Sequence, residues 1–210
     1  MRTNPFSDTL EFLMEPEWTT AVFWALIIAA FAIAAVAYKR DPAQRTPQNI
    51  WMFFSRLLVG AMWWQQTLWK LPPTYTDQED GSGGLRYWME QMTKHASFSA
   101  QAKFVKEVVL PHFYFFAPQV YFAEVAIALS LMLGVFTRLG GALGFIMGVN
   151  LWLGLYRSPA EWPWSYFFLM LACGTFAIFH AGRSLGVDSL LARSTAGESR
   201  GIRRLVQLAM

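Results

Sequence analysis

Residues 18–38 hold no charged side chain in 21 positions, and Lys39 and Arg40 follow at once. About twenty consecutive apolar residues suffice to carry a helix across a bilayer. Four further apolar runs follow, at residues 50–71, 113–136, 139–156 and 162–181. Charged residues make up only 15% of the chain, against about 25% in an ordinary soluble domain. The expected fold class is an all-α integral membrane protein: a four-helix transmembrane bundle plus one additional N-terminal transmembrane helix. Ala35, Val36 and Ala37 resemble a signal-peptidase site, but the segment before the run is acidic and the run is long. It therefore reads as an uncleaved span. The chain divides into residues 1–49 with the helix 18–38, a membrane domain at 50–188, and a basic tail at 189–210.

Local chemistry sets the boundaries. Pro72 and Pro73 end the second run, since proline cannot continue the helical ladder. Only Thr137 and Arg138 separate the third and fourth runs, which makes them an antiparallel hairpin. Counting flanking Lys and Arg sets the orientation. One side holds nine cations, among them Lys39, Arg40, Arg138, Arg183 and Arg204, with three acids; the other holds seven cations with ten acids. The first side is read as the cytoplasm, so the N-terminus lies outside and the C-terminus inside. Trp18, Trp69, Trp162 and Trp164 then fall at the outer boundary, where indoles settle. The outer connection, residues 72–112, is too long to be structureless. Its start, 74–84, is acidic and Gly-rich and reads as a mobile loop. Leu85, Trp88, Met89 and Met92, then Phe98, Ala102, Val105 and Val109, mark two short amphipathic helices, the second capped at Ser97 or Ser99.

Ionisable groups inside a span cost about 2.5–3.5 kcal/mol each on insertion scales, so their presence needs a reason. Glu124 lies about 10 Å below the outer end of its span at 1.5 Å per residue. Gln65, Gln66 and Asn150 fall near the same depth, Tyr166 slightly higher, and Lys70 at the boundary above them. Trp63 and Trp64 stand beside the glutamines as a flat wall. Two readings stay open: mutual satisfaction that holds the helices together, or a pocket for a headgroup bearing carbonyls or hydroxyls. Arg56, on the cytoplasmic half, is expected to meet a lipid phosphate or the loop at Arg138 and Leu139. Gly140, Gly144 and Gly148 form a small-residue ladder for close helix packing. Cys173 is the single cysteine, and His95, His112 and His180 are dispersed. No metal, haem or disulfide is expected from that inventory.

Three stretches together resemble the DoxX/DoxD-like membrane family, whose namesakes belong to thiosulfate:quinone oxidoreductase. They are Arg56 to Lys70-Leu71, then Glu124-Val125-Ala126 leading to Gly134 through Arg138, and Gly182-Arg183-Ser184-Leu185 followed by Asp188. Thr67 stands where a glycine commonly precedes the lysine, and the last aspartate comes two residues late. The resemblance implies the small membrane subunit of a quinone-linked oxidoreductase, anchored in a bacterial or archaeal cytoplasmic membrane beside another subunit. It implies a quinone as the ligand. On it, Glu124 and Lys70 are the expected catalytic pair and Gln65, Gln66, Asn150, Tyr166 and Trp64 the expected ligand contacts. Arg56, Arg138, Gly182 and Arg183 are the motif positions. With no redox centre of its own in view, the chain is not expected to be active alone. A non-catalytic assembly or stability factor of a membrane complex is the alternative. Lipid is the other expected partner, and nucleic acid is not.

Overall fold

A computed structural model describes residues 4–76, 84–159, 161–194 and 209, and every regular element among them is helical. The acidic stretch of the outer loop and most of the basic tail lie outside the described residues. The helices are α1 (Pro5–Met14), α2 (Trp18–Arg40), α3 (Pro47–Thr67), α4 (Leu85–His95), α5 (Ser99–Phe104), α6 (Phe113–Leu133), α7 (Thr137–Gly154), α8 (Pro163–Ile178) and α9 (Val187–Ser194).

Two of the starts follow ordinary capping chemistry. Asn4 accepts hydrogen bonds from the Phe6 and Ser7 amides ahead of Pro5, and Thr46 accepts from Asn49 ahead of Pro47. Proline suits a first turn, where its missing N–H would have had no partner. The sequence reading had no α1; its own cap was the available signal. The helix lies against α2, with the Trp24 indole donating to the Leu13 carbonyl at 3.0 Å.

α3 packs along α6 and α7 along α8, while α6 also meets α7 and α2 rests on α6 and α3. One core runs through them, including Phe53, Leu57, Trp63, Ile127, Leu131 and Phe176. Outward, Ile28, Leu58, Phe122, Ile146 and Ile178 stay exposed. A bundle apolar on both its inside and its outside matches a lipid surrounding rather than water. α2 and α6 are each long and apolar enough to cross a membrane.

Two expected helix ends are corrected. The run 113–136 stops as helix at Leu133, because Gly134 turns left-handed at φ 69°; α7 then begins at Thr137, ahead of the expected 139. A glycine after the last helical turn ends it at little steric cost. Phe136 also has positive φ, 50°, and its amide is tied down as described below.

The glycine ladder sits where helices approach most closely. A methyl on Gly140 would collide with Ser130, one on Gly144 would lie 2.8 Å from Cys173 Sγ and 3.2 Å from Ile127, and one on Gly148 3.2 Å from Met170. The free Cys173 thiol is buried there. Gly144→Leu is therefore expected to force α6, α7 and α8 apart and lower the detergent melting temperature sharply. An unchanged melting temperature would contradict this packing.

α4, α5 and a single π-helical turn at Val105–Val109 cover one end of the bundle. Leu85, Met89, Met92, Val105 and Val109 form a second core with Phe113, Ala117 and Leu155. The expected serine cap is not used: Phe98 occupies the N-cap position without a side-chain bond. Phe98 itself points outward, 60% exposed.

Candidate functional site

Beneath α4 and α5, this end of the bundle holds a cavity of about 620 Å³. Ligand cavities run from about 300 to 1,000 Å³ and are mostly apolar with a few convergent polar groups. Trp63, Trp69, Trp88, Met62, Met89 and Met147 supply much of the apolar wall. Its polar members are Gln66, Lys70, Gln101, Glu124, Asn150, Glu161, Ser165 and Tyr166.

The charged core of the site is one ion pair. Thr67 ends α3, and a single tight turn at Leu68–Lys70 swings Lys70 inward. Its Nζ donates to Glu124 Oε1 at 2.8 Å and lies 2.6 Å from Oε2, with both side chains 4% exposed. The same ammonium stands 4.1 Å above the Trp69 ring, which adds cation–π attraction. Two opposite charges in a low-dielectric setting stabilise each other while both lose water. Lys70 keeps donors beyond those Glu124 uses, because an ammonium has three.

Two further hydrogen-bonded pairs stand elsewhere in the wall. Gln101 of α5 donates from Nε2 to Asn150, 3.2 Å to its carbonyl and 3.1 Å to Oδ1. The Tyr166 hydroxyl donates to Glu161 Oε2 at 3.0 Å.

Of the residues expected from sequence to form a pocket, Glu124, Lys70, Gln66, Asn150 and Tyr166 line this one cavity. Gln65 and Trp64 do not. Gln65 is exposed on another face of α3, and Trp64 is buried in the main core. Neighbours in a helix point about 100° apart, so depth alone cannot place two adjacent side chains on one wall. Trp63, not Trp64, lines the cavity. Gln101 and Glu161 had no sequence signal, because both lie outside the apolar runs.

The motif residues gather at the opposite end of the bundle. Arg56, wholly buried, donates from Nη1 to the carbonyls of Leu131 and, at 3.1 Å, Met132. It thus holds the last turn of α6, which corrects the expectation of a lipid phosphate or the Arg138 loop. Asp188 accepts from the Phe136 amide at 2.7 Å, the Thr137 amide at 3.0 Å and the Thr137 hydroxyl at 2.9 Å. That hydroxyl in turn accepts from the Gly182 amide at 2.8 Å. The Asp188 amide donates to the Gly134 carbonyl at 2.8 Å. Burial pushes the Asp188 carboxyl up, while these donors and the Arg56 charge pull it down. Gly182 has no room for a side chain: a methyl would collide with Asp188 and sit 2.7 Å from the Gly134 carbonyl. Arg138 is half-buried and Arg183 exposed. Arg193 of α9 reaches Asp41 at 2.5 Å, tying α9 to the end of α2.

The apolar exterior and the long apolar helices α2 and α6 define a helical membrane protein. More specifically, the chain belongs to the DoxD family: the model of that family, described as TQO small subunit DoxD, matches residues 51–207. As a small subunit by description, the family implies a larger membrane complex. No curated protein and no solved structure matches the chain.

Proposed function

We propose that this chain is a membrane subunit of a quinone-linked oxidoreductase in a bacterial or archaeal cytoplasmic membrane, with the quinone ring held in the outer cavity. The observation that carries the reading is the buried Lys70–Glu124 pair in the wall of a largely apolar cavity. Such a pair has a stability cost that an apolar pair would not, and it suits a site where charge and protons change. Reducing a quinone to a quinol takes two electrons and two protons. The electrons come from a partner subunit that oxidises a sulfur compound such as thiosulfate. Within this chain, a spare Lys70 N–H donates to a ring oxygen and offsets negative charge developing there. Glu124 gives or takes a proton, and Gln66, Asn150 and Tyr166 orient the ring against Trp63. The family description, TQO small subunit, supports the same reading.

In this reading α2, α3, α6, α7 and α8 are the five spans. The cavity faces outward and the Asp188 cluster faces the cytoplasm. Cysteines at Lys103 and Arg183, both exposed, test the orientation on a Cys173→Ala background. Lys103→Cys should label from outside and Arg183→Cys only after permeabilisation; the reverse pattern would invert the topology.

The quinone itself is tested by extracting the purified protein and recording the reduced-minus-oxidised ultraviolet spectrum. Near-stoichiometric quinone is expected. Its absence, with no saturable binding of added quinone, contradicts the proposal. A second reading, an assembly or stability factor, is favoured by one observation: Arg56, Gly134, Gly182 and Asp188 all serve the helix-end cluster and none lines the cavity.

A further inference from the structure

The cavity wall is not equally closed all round. Towards α7, Gln101 bridges to Asn150 with two hydrogen bonds. At the head of α8, Tyr166 is tied to Glu161. The seam between α3 and α8 differs. Met62 and Gln66 stand one turn apart on α3, and Ser165 and Leu169 one turn apart on α8; all four line the cavity. Met62 is 49% exposed, and Gln66 and Ser165 are exposed as well. Phe104 and Asn150 are exposed wall residues too, on the side where Gln101 bridges to Asn150; the other three, Met62, Gln66 and Ser165, gather at the seam. The Gln66 side chain accepts from the Trp69 indole on its own segment at 3.3 Å, and the polar contact of α3 with α8 lies deeper, between Trp63 and Cys173. Met62 precedes Lys70 by eight residues, roughly 12 Å along a helix axis. The seam therefore opens below the ion pair, at a depth that is hydrocarbon if α3 and α8 span the membrane.

We infer that this seam is a side window through which a ligand with a long apolar chain reaches the cavity from the bilayer. The polar head lodges against Lys70 and Glu124, and the chain leaves between Met62 and Leu169. The inference rests on the quinone reading for the head and adds to it the class of tail and the route. Chain methylenes left in lipid or against apolar side chains remain out of water, so the tail keeps its favourable partition while the head sits in the cavity. A tail-less ring gains none of this and has no need of the window.

Two probes in lipid nanodiscs test it: a benzoquinone with a decyl chain ending in a diazirine, and the same ring without a chain. On irradiation, the wild-type protein should crosslink the chain at Met62, Gln66, Ser165 or Leu169, and excess tail-less ring should displace it. In the Met62→Trp/Leu169→Trp variant, association of the tailed probe should slow at least tenfold. Association of the tail-less ring should slow by a clearly smaller factor. Crosslinks at Phe104 and Asn150, with unchanged association in the variant, overturn the window and leave the quinone site standing. Equal slowing of both probes also overturns it, because the tryptophans would then be filling the cavity. Failure of both rings to bind wild-type protein overturns the quinone reading and the window with it. The crosslinking arm needs no substitution, so it does not depend on the variant folding.

Discussion

Glu124→Gln is expected to destabilise the protein by about 3–5 kcal/mol, because it leaves the Lys70 ammonium buried without its counter-charge. Lys70 is enclosed to 4% side-chain exposure, and the Trp69 face beneath it replaces only part of what the carboxylate supplies. Lys70→Met should cost a similar amount by stranding the carboxylate. The double change Lys70→Met/Glu124→Leu removes both charges and fills their space with apolar atoms. It should recover most of the loss, since replacing a whole buried pair is commonly neutral or favourable. Detergent melting curves of the two single variants and the double variant form the cycle. A near-neutral Glu124→Gln would mean that the pair already shares its proton as two neutral groups.

Asp188→Ala is the second large effect. It strips the partners from the Phe136 amide and from the Thr137 amide and hydroxyl. Each buried donor left unsatisfied costs about 1–3 kcal/mol. The Phe136 amide belongs to a residue held at positive φ, so the turn between α6 and α7 loses the bond that fixes it. Loss of folded protein in detergent, with Asp188→Asn retaining part of the stability through its carbonyl oxygen, is the expected pattern. Equal stability of Asp188→Ala and wild type would show that the turn holds without this cluster. Neither change touches the cavity, so residual folded Asp188→Asn protein should still bind ligand.

The long helices were legible because lipid-scale apolar runs carry their own signal, and the prolines and caps at their ends are local. Glu124 and Asn150 were legible as polar groups at one depth, since rise per residue is constant. Rotation about the axis is not: depth alone groups Gln65 with Gln66 and does not separate Trp64 from Trp63, because periodicity is weak in a helix apolar on nearly every face. α6 shows this in the extreme, with only Glu124 and Ser130 as polar residues on its buried side. The Lys70–Glu124 contact joins residues 54 positions apart, and nothing local announces it. Arg56 was read by its depth and assigned to lipid or the next loop. Its real partners are carbonyls at the end of α6, which any helix end exposes and no side-chain pattern reveals. Gln101 and Glu161 reach the cavity only through the folding of the outer segments onto the bundle.

The central claim, that the Lys70–Glu124 cavity binds a quinone, is tested most directly by titrating a quinone into nanodisc-embedded wild type and the Lys70→Met/Glu124→Leu variant. The double variant is chosen because its stability is expected to be near that of wild type, so a difference in binding is not a difference in folding. The account predicts saturable binding to wild type and affinity at least tenfold weaker in the variant. Equal affinity in two equally stable proteins would contradict it.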